Sequence, residues 1–386
     1  GAWVQITHST AAATTVDLFP ANQAWTFVAR GSASGDIVDA NFGQRPFSAT
    51  PPDSAVALTT ANISEPTVTK PTDYFKAIIY EGTGSELKTG QSDGTGVPEV
   101  GFTPDMVWIK DRDEADSHAL FTSVTGVEKY YQVNNAGTEQ SSSDGITHFS
   151  STEETTTSHG FTIGGNLNPI NSSGDSMVAW CWKFGGAPSA SDTGGAGRSG
   201  AMATNSVFVG GSNFSFTPAS GAYYPKQMSI ADHRGASIVT WTGDNTNSDT
   251  TIPHGLDGAV EFVITKNRDL GTDWLCKHKD DGLSDGTNLR LNENSTTSPA
   301  ASGYLKAAGL TADTFEFDEG NSNANNFRNN NEKYVAFCFK RVPGLIGIGS
   351  YTGNASTDGT YVVVDDGASG FRPAWILEKR TDAAGA

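Results

Sequence analysis

Four carboxylates bunch within one short stretch, KDRDEAD, where Asp111, Asp113, Glu114 and Asp116 follow the apolar run MVWI. Clustered carboxylate oxygens are hard ligands, and the chemistry they suit is calcium binding. Asp111, Asp113 and Asp116 are therefore the candidate metal ligands. The spacing is not that of an EF-hand loop, because no glycine follows at the required place, and a solvated acidic turn is the simpler reading. The related stretch KNRD repeats only one of these carboxylates, Asp269 in the place of Asp113. His118, His148, His159 and His254 each lack a Cys or His at ligand spacing, so no zinc site is expected. Glu153 and Glu154 lie in the loop-like tract EETTTSHG. A glycosidase needs two carboxylates opposed across a sugar, about 5 to 9.5 Å apart, and adjacency in sequence does not supply that. No GxSxG elbow, HExxH helix or GK[ST] phosphate loop occurs. No catalytic residue is assigned, no binding residue is singled out, and no cofactor is expected.

Composition narrows the partners. The 386 residues carry 43 acidic against 25 basic side chains, a net charge of -18, which repels phosphate backbones and anionic lipid. Nucleic acid is not an expected partner, and no apolar run reaches the length of a membrane-spanning helix. Cys181, Cys276 and Cys338 are odd in number, which argues against a disulfide framework and for free, core-packed thiols.

The elements that must position these residues are short. Apolar runs such as HALFTSV, KYYQV, THFSS and HGFTIGG are set apart by Gly, Asn, Asp, Ser and Thr, which is strand and turn punctuation. The pattern repeats. GFTPDMVWIKDRD at Gly101 returns as GLDGAVEFVITKNRD at Gly255 and as GFRPAWILEKRTD at Gly370. The closing DSMVAWCWK, ending at Lys183, returns as EKYVAFCFK, ending at Lys340, and a third closing copy does not appear. A lead-in, YFKAIIYEGTG, SIVTWTGDN or IGSYTGNAS, precedes each opening, and it is expected to pair with that opening strand. Within the opening strand, alternation puts Val107 and Ile109 on one face and Met106, Trp108 and Lys110 on the other. Trp108 reads as a packing residue rather than a ligand platform. The closing strand is apolar on both faces and belongs in the middle of a sandwich. Helix signals are thin, and ASGYLKAAGL is the best candidate.

These readings give an all-β chain of tandem antiparallel β-sandwich domains joined by Pro-, Gly- and Ser-rich linkers. The expected parts are a β-domain end at 1–50, a Pro-rich linker at 51–73, and a first sandwich repeat at 74–186. A Gly/Ser/Ala-rich connector at 187–235, with SVFV and FSFT as strands, leads to a second repeat at 236–343. The start of a third, incomplete repeat fills 344–386. The irregular interval between openings favours a string of separate domains over a solenoid.

NFGQRPF at Asn41 to Phe47, the GFTPDMVWIK...AWCWK units, and the SHALF, SGAMATNS, YPKQMS and IPHGL segments occur in an order that resembles a family of tail-associated and other virion structural proteins of marine bacteriophages. NFGQRPF itself resembles the end of a SPRY-like, concanavalin-type jelly roll. The resemblance implies a virion structural protein exposed on the particle surface, a segment of a tail fibre or tail-associated appendage. Its implied partners are other virion proteins, further copies of itself, with a trimer favoured, and host-surface glycan. It brings no catalytic residues. A capsid decoration or head-fibre protein and a carbohydrate-active enzyme are the alternatives.

Overall fold

The computed structural model describes residues 68–381 apart from 90–98, 151–158, 246–249, 281, 284–286, 294–304, 318–326 and 365–369. The chain divides into two compact units, residues 1–69 and 70–386. NFGQRPF, the domain end at 1–50 and nearly all of the linker lie outside the described residues.

The second unit is built from β strands. In chain order they are β1 (Phe75–Glu81), β2 (Leu87–Lys88), β3 (Met106–Asp111), β4 (Ala119–Thr122), β5 (Lys129–Gln132), β6 (Gln140–Ser141), β7 (Ile146–His148), β8 (Thr162–Ile163) and, after one helical turn α1 (Asn168–Asn171), β9 (Ser176–Trp182). There follow β10 (Val207–Val209), β11 (Ser212–Asn213), β12 (Gln227–Ile230), β13 (Ala236–Thr242), β14 (Thr250–Pro253), β15 (Phe262–Asn267), β16 (Leu275–His278), β17 (Leu289–Arg290), β18 (Thr314–Phe317) and β19 (Lys333–Phe339). The fold is all-β, and among the described residues every strand pair is antiparallel except β10 with β12.

Two large sheets carry the repeat. The first runs β1-β9-β3-β4-β5-β6, and the second contains the same series as β13-β19-β15-β16-β17, with β12, β10 and β11 added beyond β13. The lead-in therefore does not pair with the opening strand. It pairs with the closing strand, which lies between the two: Ala77 stands opposite Trp180, and Trp180 opposite Trp108. The reason is physical. β9 and β19 are apolar on both faces, so each takes the most enclosed position, and the lead-in and opening strands flank it. A small sheet lies over one face of each large one, β2-β8-β7 over the first and β14-β18 over the second.

Three apolar cores fill the layers. Val107, Ile109, Met177, Ala179 and Cys181 of the first sheet pack with Leu87, Ile146 and Ile163 of its small sheet. Val239, Trp241, Val263, Ala336 and Cys338 do the same with Ile252, Phe315 and Phe317. The third core joins the opposite faces of the two large sheets, with Met106, Trp108, Leu120 and Tyr131 from the first and Ile238, Ile264, Cys276, Val335 and Phe337 from the second. The two repeats are thus packed back to back through a buried layer, where a string of separate domains was expected. The stretch 187–235 is no mere connector, because it supplies β10, β11 and β12 to the second sheet. SVFV contributes β10, FSFT forms no strand, and the described end of ASGYLKAAGL is not helical: Leu305 bridges to Phe317 instead.

The first two lead-ins each end on a glycine that the packing requires. A Cβ on Gly82 would lie 2.0 Å from the Ser172 carbonyl oxygen, and one on Gly243 would lie 2.1 Å from that of Asn329. The same backbone bond accompanies both, Gly82 N–H to Asp175 O at 2.8 Å and Gly243 N–H to Glu332 O at 2.9 Å. Gly353, at the same place in the third lead-in, has nothing within 4 Å of such a Cβ. No strand is assigned from Gly347 to Thr381 among the described residues.

Candidate functional site

The acidic cluster folds into a turn that ties strands together. Asp111, fully buried at the end of β3, accepts the backbone N–H groups of Asp113 at 2.8 Å and Glu114 at 3.0 Å through Oδ1. Asp113 in turn accepts the N–H of Ser176, the first residue of β9, at 2.6 Å. The second repeat makes the same turn: Asn267 accepts Asp269 N–H at 2.9 Å and Leu270 N–H at 3.0 Å, and Asp269 accepts Lys333 N–H at 2.6 Å. A conserved-geometry turn of this kind fixes where the closing strand begins. Lysine closes each turn from the inside. Lys110 donates to the Glu114 carbonyl at 2.7 Å, and buried Lys266 donates to the carbonyls of Thr272 at 2.8 Å and Leu270 at 3.2 Å. Burial draws the Lys266 ammonium pKa down to about 8, against a smaller opposing pull from Asp273.

Asp111, Asp113 and Asp116 do not form a metal cage. Among the described residues no three His, Cys, Asp or Glu side chains group so as to hold a metal ion. One difference between the turns stands out. Asn267 Nδ2 donates to Glu332 Oε2 at 2.7 Å, whereas at the same corner of the first repeat Asp111 Oδ2 is buried with no donor and Asp175 stands beside it. Partial burial, and then the charges of Asp111 and Asp113, raise the Asp175 pKa.

Of the described histidines, His118 and His254 serve packing and turns. His118 Nδ1 accepts the Trp108 indole N–H at 2.9 Å, and burial first, then Lys110, lowers its pKa. His254 is fully buried: Nδ1 accepts Leu256 N–H at 3.1 Å, Nε2 donates to the Thr311 carbonyl at 3.2 Å, and burial pulls its pKa down to about 4. His148 Nδ1 lies 3.2 Å from Thr147 Oγ1, and His159 is exposed. Glu153 and Glu154 lie outside the described residues. The thiols of Cys181, Cys338 and Cys276 are free and buried, one in each of the three cores, and burial raises the pKa of all three.

What remains open to a partner is an aromatic sheet face. On the first large sheet the face turned toward the buried layer carries Phe75, Ala77 and Ile79 from β1, Val178, Trp180 and Trp182 from β9, and Met106 and Trp108 from β3. Met106 and Trp108 are covered by the second sheet. Trp180 and Trp182 are only partly covered, and Ile79 is 54% exposed. The equivalent face of the second sheet is closed along β13, with Ile238 fully buried and Thr240 at 3%, while Phe262 and Phe339 beside it are partly buried. Trp108 is thus the packing residue that alternation predicts. The half-open state of Trp180 carries no sequence signal, because an apolar face tells of burial and not of the partner's extent. One further ring reaches this face. Trp375, from the third opening, sits 5.2 Å from Trp182 and 6.0 Å from Trp108, near-perpendicular to the first. Such a surface offers flat apolar contact and indole faces, and its chemistry is noncovalent association.

Residues 70–222 and again 210–386 match the family described as a domain of unknown function (DUF7483), and the chain belongs to that family. The first match contains all of the first large sheet and the second contains the second large sheet except β10, so each repeat falls within one match. No curated protein and no solved structure matches the chain. Among the described residues no helix is long and apolar enough to cross a membrane.

Proposed function

We propose that this chain is a structural segment of a phage virion appendage, a tail fibre or tail-associated protein, whose β modules hold loops toward the host surface and bind glycan there. The observation that supports this reading is the fusion of two copies of one all-β unit through a buried, shared apolar layer. Such a joint resists bending between the repeats, which suits a spacer that must transmit position rather than turn over a substrate. In this reading the layered repeats are β-sandwiches of the SPRY-like kind, and binding is weak at each site but multiplied by the copies on a particle.

The test is location and retention. Antibodies raised against residues 70–386 and visualised on intact particles should label the tail or its fibres. Label confined to the head surface would favour a decoration protein, and unlabelled particles would overturn the assignment. Host glycan immobilised on beads should retain the protein with its chains uncut, whereas shortened chains would point to an enzyme.

A further inference from the structure

We propose that the open half of the first sheet's aromatic face is the contact surface for a second copy of this chain. The argument begins inside the molecule. The buried layer is formed by the same face of two homologous sheets: Met106 and Trp108 of the first occupy the register places of Phe262 and Ile264 in the second, and all four pack into that layer. A face of this pattern therefore has one demonstrated partner, another sheet of the same repeat presenting the same face.

Coverage on the two sides is unequal. The second sheet's face is closed along β13, while along β1 Ala77 is exposed and Ile79 is 54% exposed, with Trp180 and Trp182 partly bare beside them. The open strip is continuous with the established interface. Its own residues from Phe75 to Ile79 on β1 and from Val178 to Trp182 on β9 carry no acidic group; charge borders it only at one end, where Glu81 follows Ile79 and Lys110 stands beside Val178 with its ammonium held by the Glu114 carbonyl. For a chain of net charge -18 that matters, because copies repel one another everywhere except where acidic groups are missing. A sheet meeting its own copy this way forms an isologous contact, in which the same residues face each other across a two-fold axis. Trp375, the counterpart in the third opening of Met106 and Phe262, already lies against the same face and marks its appetite for an aromatic anchor.

The experiment is sedimentation of the 386-residue chain over a micromolar concentration series, beside Ile79→Lys and Ala77→Arg. Both positions are exposed, so the variants should keep the parent's circular dichroism and melting temperature. The parent should sediment as an associated species that dissociates on dilution. Each variant should shift to monomer, with a loss of self-affinity of at least tenfold. A parent that stays monomeric at every concentration overturns the proposal, as does association that survives both substitutions. A monomeric parent whose tryptophan emission responds to polysaccharide would give the face to sugar rings and overturn it equally.

Discussion

Asp111 and Asn267 stand at the same corner of the repeat, and the difference of one amide decides how each corner behaves with pH. Asn267 donates to Glu332, so that corner needs no proton. At the first corner two acids meet, and the Asp175 pKa is raised in the fold. An acid whose folded pKa lies above its unfolded value binds more protons folded than unfolded. Its contribution is therefore fully present below the ordinary carboxylate range and is lost as pH rises through the folded pKa. Asp111→Asn keeps the Oδ1 bonds to the turn and gives Asp175 a donor. It should raise the melting temperature at neutral pH and leave it nearly unchanged at pH values below the carboxylate range, as paired thermal scans would show. An equal effect at both pH values would remove the charge argument. The thiols give a second outcome at this scale. Buried in three separate cores, Cys181, Cys276 and Cys338 should resist a thiol reagent in the native protein, and all three should react once it is unfolded.

At the scale of elements, the strands were largely legible and their order was not. Alternation placed Val107 and Ile109 opposite Met106 and Trp108, and the structure puts them on those two faces. Proximity in sequence suggested that the lead-in pairs with the opening strand. It fails because a hairpin of those two would leave the doubly apolar closing strand at an edge, where one face or its backbone would meet water. The acidic turn was legible as a turn, yet its purpose was not, since the N–H that Asp113 accepts belongs to β9, 63 residues along the chain. The central place of β9 yields a like-for-like test on neighbouring strands. Ala179→Asp puts a carboxylate into a core with no partner and should cost about 3 kcal/mol or more, whereas Ala77→Asp on β1 should stay within about 1 kcal/mol. Urea unfolding of the two variants measures the gap. Comparable losses would mean that β1 is as enclosed as β9.

For the molecule as a whole, the shared layer makes the two repeats one cooperative body. Trp274 is fully buried in that layer, packs edge-on to Tyr131 at 5.6 Å, and donates its indole N–H to the Gln132 carbonyl at 3.3 Å, so it belongs to both repeats at once. Arg268 and Glu139 bridge the same seam at 2.8 Å. Trp274→Ala should cost about 3 to 5 kcal/mol and lower a single unfolding transition rather than split it in two. The first repeat alone, residues 74–186, should expose its half of the layer and bind a hydrophobic dye. A soluble, dye-silent fragment would show that the joint is dispensable. This joint was the least legible part of the chain. Period-two patterning says that Trp108 and Ile264 are buried, but the same letters would serve a separate sandwich or a contact with another molecule.

The third opening leaves a mark that can be seen without a label. Of the eight tryptophans in the chain, Trp108, Trp180, Trp182 and Trp375 form one nest, with ring centres 5.2 to 6.1 Å apart and mostly crossed planes. Indoles so close and so skewed share their excited states, so the protein should show an exciton couplet in its ultraviolet circular dichroism. The chain between this nest and the second repeat bares Tyr361 at 90% exposure, an open invitation to chymotrypsin. A cut there leaves the following segment held by Trp375 together with a few polar contacts, Lys379 to the Glu293 carbonyl and the Tyr351 hydroxyl to Glu378 among them, and the couplet should fade at the pace at which Trp375 leaves its seat.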